Sequence, residues 1–113
     1  MSARSEIAAA ASAVTGVNVS PYYRQGLKTG DGFVSLVSRT RGDNGFGYVD
    51  TWGVFVAIPQ DVKAAEEWLE ANLTPLMDAL DAEIVVQTAS PDTFTLRDGV
   101  ATNAVNITGT REA

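Results

Sequence analysis

The segment at residues 51–70, TWGVFVAIPQDVKAAEEWLE, constrains the fold more than any other part of the chain. It begins as a strand, because Val, Phe, Trp and Thr suit a pleated, half-buried surface. With a two-residue period, Tyr48, Asp50, Trp52, Val54, Val56 and Ile58 share one face, and Val49, Thr51, Gly53, Phe55 and Ala57 share the other. Both faces are apolar towards the C-terminal end, which predicts a central strand covered on both sides there. Pro59 ends the strand, since it has no N–H to give a ladder. Asp61 is placed to cap a helix. Val62, Ala65, Leu69, Leu73, Leu76 and Leu80 then follow at spacings that keep them on one helical stripe, while Glu66, Glu67 and Glu70 point elsewhere. Pro75 is the misfit, and predicts a kink or a restart capped by Thr74.

The flanking segments complete a single domain over residues 1–113. Residues 3–14, ARSEIAAAASAV, favour a helix with Ser2 or Ser5 as cap and Gly16 at its end, with Ile7, Ala10, Ala11 and Val14 as its stripe. A short strand around Val17–Val19 leads into a glycine-rich loop, GLKTGDG, which lacks the spacing of a phosphate-binding loop. FVSLVSRT (33–40) and residues 46–58 read as a hairpin about RGDNG, with Asn44-Gly45 at the turn. The last third gives EIVVQTA (83–89), DTFTL (92–96) and ATNAVNITGT (101–110), all strand-like, with a turn at Asp98-Gly99. The expected class is α+β: a mainly antiparallel or mixed β-sheet with two helices packed on it, in the order α-β-β-α-β-β.

The chain contains neither cysteine nor histidine, which removes disulfides, thiolate metal sites, Cys nucleophiles and the commonest general base. Hydrophobic residues at 45% and charged residues at 19% are ordinary for a folded domain. Carboxylates are the only acid–base groups in quantity, and Glu66 with Glu70 at i, i+4 reads as a solvated helix face. An enzyme is not expected, nor a cofactor or a metal. The short matches RGD and Asn-x-Ser/Thr require export, and no export signal or membrane span is read in the sequence; a cytoplasmic setting follows. The net charge of -6 is uneven: residues 1–41 carry five bases and two acids, residues 42–113 three bases and twelve acids. Such asymmetry steers unlike surfaces of neighbouring copies together, and the acidic total argues against wrapping nucleic acid.

ARSEIAAAASAV, TWGVFVAIPQDVKAAEEWLEANLTPLMDALD and the closing VNITGTREA together resemble the tail terminator proteins of long-tailed bacteriophages, of lambda type and nearest to those of actinobacterial phages. The resemblance covers most of the chain, least the loop from Pro21 to Gly32. It implies a compact subunit that forms a homo-oligomeric, six-membered ring on the tail tube. There it ends polymerisation of the major tail tube protein and offers a surface to the head–tail connector or stopper. Viral DNA passes through the channel without sequence recognition. The implied location is the tail–neck junction of the virion, after assembly in the host cytoplasm. On that resemblance the loops GLKTGDG and SRTRGDNGF are assigned to subunit or tube contacts, with Asp43 and Phe46 among the interface residues and the bases Lys28, Arg39 and Arg41 meeting Glu66, Glu67 or Glu70 of an adjacent copy. The alternatives are a head-completion or stopper protein of the same neck, or a small-ligand-binding domain with Tyr48 and Trp52 lining a pocket.

Overall fold

A computed structural model describes residues 2–23, 28–42, 47–95, 99 and 101–113. Its elements are α1 (Ala3–Ser12), β1 (Asn18–Ser20), β2 (Asp31–Arg41), β3 (Tyr48–Ala57), α2 (Val62–Leu80), β4 (Val85–Thr95) and β5 (Ala101–Glu112). The class is α+β as expected, but the order is α-β-β-β-α-β-β, because the three residues of β1 form a strand of their own. The five strands lie in the order β1-β2-β3-β5-β4. β1 runs parallel to β2, and every other pair is antiparallel, so the sheet is mixed.

The parallel start depends on a tight approach at Gly30. Its N–H donates to the carbonyl of Ala57 at 2.8 Å, and its own carbonyl accepts from the N–H of Asn18 at 2.8 Å. Gly30 has φ +91, and a Cβ there would overlap the Gly16 carbonyl, so no other residue fits without strain. The outer edge of β1 is closed by α1: the N–H of Val19 donates to Ser12 Oγ at 2.9 Å, and that hydroxyl donates back to the Val19 carbonyl at 3.2 Å.

β3 is the middle strand, as its two apolar faces predict. Only one of those faces meets helices. Trp52, Val54, Val56 and Ile58 join Val34, Val105 and Ile107 in a core that α1 covers with Ile7, Ala8 and Ala11, and α2 with Ala65, Leu76 and Leu80. Ala8, absent from the expected stripe, is buried, and Ala10 is only half-buried. Each fully buried Leu or Ile in this layer contributes about 1.5–3 kcal/mol. No helix lies over the other face among the described residues.

Three local expectations change. The junction after β3 forms as read: the N–H of Ala64 donates to Asp61 Oδ2 at 3.1 Å, and α2 begins at Val62. Yet α2 continues unbroken through Pro75 to Leu80, since the proline is exposed and the lost bond falls on the solvent side. Val62 leaves the apolar stripe and stands 77% exposed in the first turn of α2. The two strands expected at 83–89 and 92–96 are joined in one, β4 (Val85–Thr95), with an irregularity between Val86 and Thr88 and with Pro91 inside it. An edge strand accommodates a proline because only one side needs hydrogen bonds. The β2–β3 hairpin closes with the N–H of Gly42 on the Gly47 carbonyl at 3.2 Å, Gly47 having φ +66. The expected turn at Asn44-Gly45 lies outside the described residues, as does Asp98 of the second turn.

Candidate assembly surfaces

Arginines dominate the β2 edge of the sheet. Arg39 and Asp50 face each other across β2 and β3, and the guanidinium holds the carboxylate with two bonds, Nε to Oδ1 at 2.6 Å and Nη2 to Oδ2 at 2.8 Å. Asp50 is buried while Arg39 is half-exposed. The hydrogen bonds from Arg39 hold the Asp50 carboxyl below its ordinary value against the opposing effect of burial, and the same bonds raise Arg39. Arg4 reaches out of α1, donating to the carbonyls of Val34 at 2.7 Å and Pro21 at 3.0 Å, with its guanidinium over the rings of Tyr22 and Trp52. Arg111 of β5 ties α1 to the start of β4 through Glu6 at 3.4 Å and Glu83 at 3.0 Å. Together Arg4, Arg39 and Arg111 with Tyr22, Asp50 and Trp52 line a groove of about 380 Å³.

The residues assigned from sequence fall in three places. Lys28 is exposed on the turn before β2, where its N–H donates to Asp31 Oδ2 at 3.2 Å. Arg39 and Arg41 sit at the far end of β2, roughly 30 Å away at ~3.3 Å per strand residue. The structure therefore separates Lys28 from the two arginines. Glu66, Glu67 and Glu70 are all exposed in the first half of α2, and Glu67 pairs weakly with Lys63 at 3.7 Å. α2 starts from the sheet end that holds Lys28, so these glutamates lie towards Lys28 and away from the arginines. Besides Asp50 and Glu112, the acids at the arginine end include Asp81 and Glu83, just before β4, which sequence reasoning missed. Only the strand register, which no residue pattern carries, could have placed them. Asp43 and Phe46 lie outside the described residues.

The pair proposed for a ligand pocket is also divided. Trp52 is 7% exposed beneath Arg4, whereas Tyr48 is 44% exposed and stacks with the guanidinium groups of Arg39 and Arg41. The groove that Trp52 lines does not include Tyr48, and the one that Tyr48 lines does not include Trp52.

The uncovered sheet face has its own character. Phe33 stacks on Phe55 with ring centres 5.3 Å apart, and Tyr23 tilts against Phe33 at the same distance. Val37 stands 56% exposed beside Gly53. Asn106 Oδ1 on this face and Trp52 Nε1 on the other are buried without a hydrogen-bond partner. Among the described residues, no group of three or more His, Cys, Asp or Glu side chains could hold a metal ion, and no helix is long and apolar enough to cross a membrane.

No protein-family model matches the chain, and a search of curated proteins finds no similar one.

Proposed function

We propose that this chain is a structural subunit of a bacteriophage tail, forming a ring that caps the tail tube, ends its polymerisation and presents a surface for joining the head. The resemblance of its helix, its strand–proline–helix junction and its final strand to tail terminators motivates the reading. One structural observation supports it. The two edges of the sheet differ in chemistry: Arg4, Arg39 and Arg41 flank β2, while Asp81, Glu83 and Asp92 flank or lie in β4. Subunits that present unlike edges associate head to tail, and head-to-tail contacts close into rings when the rotation allows. In this role no catalytic group is needed, and DNA crosses an acidic channel wall without adhering to it.

Deleting the coding sequence from its parent genome and measuring tail lengths by electron microscopy tests the proposal. Overlong tubes without heads are expected. Tails of normal length that fail to join heads would move the chain to the stopper position. Complete, infectious particles would end the structural reading.

A further inference from the structure

Two strand edges remain unpaired among the described residues. β1 covers β2 only as far as Phe33, and Arg4 takes the Val34 carbonyl, so Ser35–Arg41 has no strand neighbour on its outer side. β4 ends the sheet on the other side and pairs only with β5. There the N–H of Val86 donates to Asp81 Oδ1 at 3.3 Å, a long bond to an exposed aspartate that a strand carbonyl can replace. Open edges of this kind pair with other chains unless something covers them.

The geometry points to antiparallel pairing of the β2 edge of one copy with the β4 edge of the next, through Ser35–Ser38 and Val85–Thr88, so that the ring carries a continuous sheet. The ring proposed above is presupposed. Four features of the chain carry the pairing. First, polarity fits: β2, β3, β5 and β4 alternate in direction, so β4 runs opposite to β2, and a head-to-tail neighbour meets it antiparallel. Second, height fits. Ser38, Thr51, Thr110 and Val85 form one row across the sheet, so copies at one level set Ser38 beside Val85 and bring Val37, its neighbour at the β2 bulge, close to Val85.

Third, these two residues are apolar, exposed by 56% and 69%, and both on the uncovered face, Val37 beside Gly53 and Val85 opposite Thr110. Cross-strand apolar pairs of this type hold antiparallel strands together. Fourth, the charges complement. In the same register Arg39 and Arg41 of one edge approach Asp81 and Glu83 of the other.

The absence of cysteine makes the test direct. Val85→Cys is combined in turn with Ser35→Cys, Val37→Cys or Thr40→Cys in the full chain, covering register slips along the β2 edge. Each double variant is oxidised as the free protein at high concentration and on assembling tails, and is run on a non-reducing gel, with light scattering in parallel. At least one double variant is expected to give a ladder of covalent species up to the closed ring, reversed by reductant, while each single variant stays monomeric. A covalent dimer from a single variant would mean that like edges meet, and would overturn the pairing. Oligomers seen by scattering with no cross-link in any combination would overturn the pairing and leave the ring intact. A chain that is monomeric by scattering and uncross-linked on tails would overturn both.

Discussion

The two faces of β3 began as equals in the sequence and ended as opposites in the structure. Trp52, Val54 and Val56 lie beneath two helices, all of them less than a tenth exposed. Val49, Thr51 and Phe55, from alternate positions of the same strand, are only half-buried. Apolar residues on a strand therefore announce that a surface tends to be covered, without saying by what. Here both helices pack on one side, sharing contacts with each other as well as with the sheet, because a joint core buries more surface than two separate layers. The other face keeps a small aromatic row, Tyr23–Phe33–Phe55, with no helix over it among the described residues.

Substitution on each face breaks or sharpens that contrast. Leu76→Ala, which empties a fully buried position in α2, is expected to cost about 2–5 kcal/mol in urea unfolding. Phe55→Ala removes a larger side chain but from the uncovered face, and should cost clearly less in the monomer. Equal losses would mean that the second face is as well packed as the first.

Two glycines give a finer probe. A Cβ at Gly109, beneath the helices, would lie 2.7 Å from the Val85 carbonyl oxygen and 2.8 Å from Ile84 Cδ1. Gly109→Ala should therefore destabilise by about 1–3 kcal/mol, the usual range for overpacking. At Gly53 the nearest atom is Val37 Cγ2 at 3.2 Å, on an exposed side chain that can turn away. Gly53→Ala should change stability by less than about 1 kcal/mol, and a cost matching that of Gly109→Ala would contradict the openness of this face.

Asp50→Asn leaves its signature in the pH dependence. The folded carboxyl titrates below its ordinary value of 3.8, owing first to the hydrogen bonds from Arg39. Its contribution is thus complete above that value and is lost as pH falls through the lower folded one. Stability curves of the wild type and Asp50→Asn should converge in that acid window. Curves that stay parallel throughout would remove the Arg39 pair as the cause.

The charged residues show where sequence reading stopped. Arg39 and Arg41 were legible as hairpin residues near a tip. That Arg39 is held by Asp50 was not, because the partner lies across a strand pair whose register depends on a bulge between Leu36 and Ser38. Glu66, Glu67 and Glu70 were correctly read as an exposed helix face, but α2 carries them away from the arginines they were meant to meet. Asp81 and Glu83 attracted no attention because nothing about a short turn marks its acids as neighbours of a distant edge.

By itself the sequence determined what local chemistry controls. Pro59 and Asp61 set where β3 ends and α2 begins, and Ser2 caps α1. The periodicity of the apolar residues chose helix or strand nearly everywhere, and β3 was recognisably central. Tertiary structure decided which face the helices cover, made β4 one strand across Pro91, let α2 run through Pro75, and, among the described residues, left two unlike edges without a strand neighbour. Those outcomes depend on contacts between residues far apart in the chain. Their energies belong to pairs of surfaces, and no single stretch of sequence contains both members of such a pair.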